Sequence, residues 1–148
     1  MLDKIKQTLF KTYNSEEKKG LFVTTFDADK KELQSQGVLT TDKPLRELLD
    51  SLYASLVEPG LSSIMYVSFD IVSEVIAVND PTELFSKNPQ EFGFCLVDTQ
   101  DAKSGVLLPN TFGVQDAKSA LYYIKKKYGL DGSVEAFVFR TERIIIAK

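Results

Sequence analysis

The chain has 148 residues, 43% of them hydrophobic and 26% charged, with a formal net charge of −3. That balance fits one globular domain, or one domain with a small lobe, and offers no bulk attraction to nucleic acid or an anionic membrane. Histidine is absent and cysteine occurs once. These counts exclude a Ser-His-Asp triad, a Cys-His pair, a histidine-bound metal, an internal disulfide and a multi-cysteine zinc site.

Leu2, Ile5, Leu9 and Tyr13 recur at helical spacing and predict an amphipathic helix from Leu2 to about Tyr13. The start of the chain lacks the apolar core of a secretion signal. No window approaches the roughly 18 unbroken apolar residues of a membrane span. A lone thiol suits a reducing compartment, so a cytoplasmic protein is expected. After a polar linker, Leu21 to Phe26 is rich in β-branched and aromatic residues and predicts a strand. Asp27 to Lys30 is a turn, with Asp27 and Asp29 as ordinary turn residues, and Glu32 to Thr40 returns as the second arm of a hairpin. Gly37 in that arm marks a bulge or a close backbone approach.

Asp42-Lys43-Pro44 opens a second helix, with Asp42 expected to cap it. Its stripe of Leu45, Leu48, Leu49, Leu52, Tyr53 and Leu56 predicts the central core helix. Ser63 to Val78 predicts a long strand. One face carries Met65, Val67, Phe69, Ile71, Val75 and Ala77, and the other carries Tyr66, Ser68, Asp70 and Glu74 before turning apolar at Ile76 and Val78. One helical turn follows to Phe85. Glu91–Asp98 and Ser104–Leu108 form a second hairpin that Pro109 ends, because proline cannot donate to a ladder. A helical stripe from Val114 through Ala117, Ala120, Leu121, Ile124 and Tyr128 stops at Gly129, which is placed for a left-handed cap. A last strand starts at Val134 and is expected to end between Phe139 and Ile146. Hairpins with about three inserted helices predict an α+β fold with an antiparallel or mixed sheet.

The order of these pieces resembles the AMMECR domain family. The resemblance rests on Gly20-Leu21-Phe22-Val23-Thr24, on Asp70 to Val75 followed by Pro81-Thr82-Glu83-Leu84, on Gly105-Val106-Leu107-Leu108-Pro109, on the helix from Asp116 to Leu130, and on Phe137-Val138-Phe139-Arg140. The family's hallmark, L-R-G-C-I-G-T on the second strand, is replaced here by Leu33-Gln34-Ser35-Gln36-Gly37-Val38-Leu39-Thr40. Its arginine and cysteine are gone. The resemblance implies an α+β domain spanning residues 1–148 and a protein partner of radical-SAM or Memo type. It implies no reaction.

Candidate sites compete with plainer readings. Cys95 lies among apolar neighbours, which raise a thiol's pKa, and reads as a core cysteine. Asp70 and Glu74 are four apart on one strand face and could divide acid–base work or hold a hard cation, yet such a stripe reads as the wet side of a sheet. Lys125-Lys126-Lys127 beside Tyr122 and Tyr123, with Arg140 and Arg143, could bind RNA, but cations also favour a helix carboxyl end. On the resemblance, the loop after Pro109 meets the strand of Gly37 in a cleft lined by Gln34, Gln36, Thr40, Asn110 and Thr111. The plain alternative there is a surface loop. No catalytic residue, metal or cofactor is assigned. The leading expectation is a non-catalytic binding or interaction module. The alternatives are an enzyme or enzyme subunit acting on a small or nucleotide-like ligand with such a partner and, more weakly, an RNA binder.

Overall fold

The computed structural model describes residues 1–148 and has an α+β fold. Its elements are α1 (Leu2–Thr12), β1 (Leu21–Phe26), β2 (Glu32–Val38), α2 (Leu45–Leu52), β3 (Tyr66–Val78), α3 (Pro81–Phe85), β4 (Gly93–Asp98), β5 (Ser104–Leu107), α4 (Ala117–Tyr128) and β6 (Val134–Ala147). The strands hydrogen-bond in the order β2-β1-β3-β6-β4-β5. β1 runs antiparallel to β2 and β3, and β4 antiparallel to β5 and β6. No helix is long and apolar enough to cross a membrane. The chain divides into two compact units, 1–73 with 142–148, and 74–141.

In the first unit, α1 and α2 bury their stripes against the sheet. Ile5, Leu9, Leu45 and Leu49 are fully buried and cluster with Leu21, Val23, Val67, Phe69 and Ile71. Tyr13, at the end of the α1 stripe, is also buried. Asp42 does not cap α2. Pro44 occupies the cap position with extended backbone, and no side chain bonds the first turn. Asp42 stands two residues before the cap position, and α2 gains its stability from its leucines instead. A π turn (Tyr53–Val57) and a 3-10 turn (Glu58–Gly60) continue α2 to the strand β3. Gly37 marks a close backbone approach, because a Cβ there would lie 2.3 Å from the Leu21 carbonyl oxygen. The bulge of this hairpin lies elsewhere, between Thr25 and Phe26.

In the second unit, α4 packs Ala117, Ala120, Leu121 and Ile124 against Phe94, Leu96, Leu107, Ala136 and Val138. Asp116, not Val114, begins α4. Its carboxylate accepts a hydrogen bond from the Ser119 N–H at 2.7 Å, which satisfies an orphan donor of the first turn. Gly129 ends the helix in the left-handed conformation, φ 66°. Tyr128 is more exposed than the stripe predicts, at 37%, although its ring reaches Gly105, where a Cβ would fall 2.5 Å from it.

β3 departs from simple alternation. Val67 through Val72 are all buried, whereas Ser73, Glu74, Val75 and Ala77 are exposed. Its core-facing residues are odd-numbered in the first unit (Val67, Phe69, Ile71) and even-numbered in the second (Ile76, Val78). The expected wet face therefore does not exist at Ser68 and Asp70, and Val75 and Ala77 are not core residues. Alternate residues of the one strand thus serve the two cores, odd-numbered in the first unit and even-numbered in the second.

Candidate functional site

β1 and the first half of β3 are buried on both faces, so their polar residues are held inside. Register places Ser35, Thr24 and Ser68 in one row across β2, β1 and β3, and Gly37, Phe22 and Asp70 in the next. Thr24 and Ser68 are each 3% exposed, and Asp70 is fully buried. The Thr24 and Ser35 hydroxyls are 3.0 Å apart. Asp70 Oδ1 accepts a hydrogen bond from Arg143 Nε on β6 at 2.9 Å. Burying a carboxylate is costly unless it is paired and hydrogen-bonded, and the Arg143 guanidinium supplies both.

A second, part-buried polar contact joins the end of α1 to β6. The Tyr13 hydroxyl donates to the Glu142 carboxylate. Burial, and then the neighbouring carboxylate, push the Tyr13 phenol above the ordinary tyrosine range.

In the second unit, Arg140 Nε lies 3.6 Å from Glu74, its Nη2 lies 3.7 Å from Glu91, and its guanidinium sits 4.5 Å above the Phe92 ring. Asp70 and Glu74 thus do not form the carboxylate pair that their spacing suggested. Each is paired with its own arginine, Asp70 buried and Glu74 half-exposed. Isolated exposed ion pairs such as Arg140's are worth little individually, and the ring contact adds cation–π attraction.

Cys95 is buried, and its cross-strand neighbours are Val106 and Phe137. It faces away from α4, since its neighbours in sequence Phe94 and Leu96 form the helix-facing core. Burial pushes the thiol upward. Native protein at neutral pH should therefore label with a thiol reagent far more slowly than the unfolded chain. Equal rates would show Cys95 to be open.

The sequence-derived binding residues fall in two places. Gln34 and Gln36 are exposed on one face of β2, and Thr40 is exposed just beyond it. Asn110 and Thr111 lie in the second unit, in the loop after β5. This loop is pinned. The Asn110 N–H donates to the Pro89 carbonyl at 2.8 Å, the Thr111 hydroxyl donates to the Leu108 carbonyl at 2.7 Å, and the Gln90 side-chain amide donates to the Val114 carbonyl at 3.0 Å. Asn110 (φ 58°) and Gly113 (φ 84°) adopt left-handed backbone, and between them the Phe112 side chain projects fully into solvent, 101% exposed. The sequence placed Phe112 in the loop but gave no sign that it would be its most exposed group.

These placements predict different tolerances. Gln36→Ala should change stability by less than about 0.5 kcal/mol, as an exposed surface substitution. Asn110→Ala should cost about 1 kcal/mol, because alanine is penalised in left-handed backbone, and Asn110→Gly should recover it. Chemical denaturation measures both.

The basic end of α4 is exposed. Lys126 lies 5.9 Å from the Tyr122 ring, and Lys127 lies 5.6 and 5.5 Å from those of Tyr123 and Tyr128. The lysines thus cover their own helix's aromatics and complement its carboxyl end.

No protein-family model matches the chain, and no curated protein matches it. Among solved structures, the chain is similar to the crystal structure of an uncharacterised protein from Pyrococcus horikoshii, with a TM-score of 0.71 and 20% sequence identity over 90% of this chain and 80% of that one. At that identity the likeness concerns the fold.

Proposed function

We propose that the protein is a non-catalytic binding or interaction module, AMMECR-like in type, that docks a protein partner of the radical-SAM or Memo kind. The observation that carries this reading is the loop from Pro109 to Val114. A large aromatic side chain, Phe112, is held wholly in solvent by a loop whose backbone and flanking side chains are hydrogen-bonded to the scaffold. Exposing a phenylalanine is unfavourable for the free chain, and pre-fixing its loop reduces the ordering cost of association. Aromatic anchors of this sort dominate binding energy at protein interfaces.

The groups that could do chemistry support the same reading. Asp70 is paired with Arg143, the Tyr13 hydroxyl with Glu142, and the Cys95 thiol is buried. Asn110 and Thr111 flank the anchor. Uncharged amides and hydroxyls suit recognition better than proton transfer.

The test is calorimetric titration of purified Memo-type and radical-SAM-type proteins against the native chain and against Phe112→Ala. Binding weakened at least about tenfold by Phe112→Ala, with unchanged thermal stability, is the expected result. Binding indifferent to Phe112, or no binding to either class, would refute the reading.

A further inference from the structure

We infer that the outer edge of β2 joins a second copy of this chain by antiparallel strand pairing, extending the sheet across a two-fold axis. β2 stands at the end of the strand order. The direction of its free backbone groups follows from its neighbours. The Phe26 and Gly20 carbonyls accept from the Met65 and Val72 N–H groups at 2.8 and 2.9 Å, so the even-numbered residues of β1 turn toward β3. The odd-numbered residues Leu21, Val23 and Thr25 therefore turn toward β2, where they face Val38, Gln36 and Gln34. Alternate residues of an antiparallel strand point opposite ways, so Ser35 and Gly37 aim their N–H and C=O groups outward.

Edges of this kind template pairing unless guarded by lysine, proline or inward-pointing charge. From Leu33 to Thr40 the chain has no charged residue and no proline. The only irregularity is the bulge at the Glu32 end, which leaves the stretch from Gln34 to Val38 in regular register.

Self-pairing is favoured by the distribution of charge. A two-fold axis at Ser35 sets Glu32 of one copy opposite Val38 of the other, and an axis at Gln36 sets it opposite Thr40. Neither register opposes like charges, which would destabilise a directly facing pair. Both bring the Gln34 and Gln36 amides of the two copies together on one face. Leu33 and Val38, 41% and 38% exposed, gain cover. One short edge buries less than the roughly 800 Å² per partner of a standard stable interface, so the dimer should be weak and concentration-dependent. This edge is made of backbone and is independent of the Phe112 loop.

Sedimentation equilibrium of the full chain from low micromolar to near-millimolar concentration tests the inference. The weight-average mass should rise from 16.6 kDa toward twice that value. Amide hydrogens of Ser35 and Gly37 should exchange more slowly at high concentration, while those of Gln34 and Gln36, already bonded to β1, change little. Ser35→Pro removes an outward donor, spares the backbone ladder to β1 while losing the Thr24 hydroxyl contact, and should hold the protein monomeric. Should that variant unfold, Gln36→Lys, which sets like charges near the axis, serves instead. A mass fixed at 16.6 kDa throughout, as expected if only a foreign extended peptide uses this edge, overturns the inference. So does association that neither folded variant weakens, which would place the contact elsewhere.

Discussion

Arg143→Ala is expected to destabilise the protein by about 3–5 kcal/mol, because it strips a hydrogen-bonded cation from a carboxylate that remains buried. Asp70 is 0% exposed, and its Oδ1 accepts from Arg143 Nε at 2.9 Å. The arginine side chain itself is 33% exposed, so its loss opens little apolar cavity and the penalty falls on the carboxylate left behind. Combining Arg143→Ala with Asp70→Asn removes that stranded charge and should return part of the loss. Urea denaturation of the two single variants and the double variant measures the coupling directly. A cost below about 1 kcal/mol for Arg143→Ala would place this ion pair with weak surface pairs and overturn its assigned role.

Gly93→Ala is expected to cost about 2–3 kcal/mol or more through overpacking. Gly93 on β4 pairs with Phe139 on β6. A Cβ at position 93 would fall 2.3–2.7 Å from the ring carbons of Phe139, which is itself 0% exposed and cannot swing into solvent. The glycine is therefore the seat of the ring. Phe139→Leu should tolerate Gly93→Ala better than the native phenylalanine does, so the two substitutions together should cost less than the sum of each alone. Simple additivity in thermal unfolding would show that the ring is not what restricts this position.

Much of the secondary structure was legible because its causes are local. The leucine stripe of α2, the apolar periodicity of α4 and its left-handed stop at Gly129 each follow from residues within a few turns of one another. The hairpin arms and the end of the β5 arm at Pro109 were equally local. The site was less legible. The glutamines of β2 and the residues after Pro109 were visible as polar strand and loop positions, and they are placed there. The exposure of Phe112 depends on bonds from Asn110 to Pro89 and from Gln90 to Val114, which no local pattern announces.

Composition and periodicity by themselves determined that this chain builds an α+β fold from hairpins and amphipathic helices, and that it has no histidine or second cysteine with which to do chemistry. Tertiary structure alone decided which polar residues are inside. Asp70 meets Arg143 across 73 positions and Tyr13 meets Glu142 across 129. A strand's pattern tells which residues share a face. Whether that face meets water depends on what the rest of the chain lays over it.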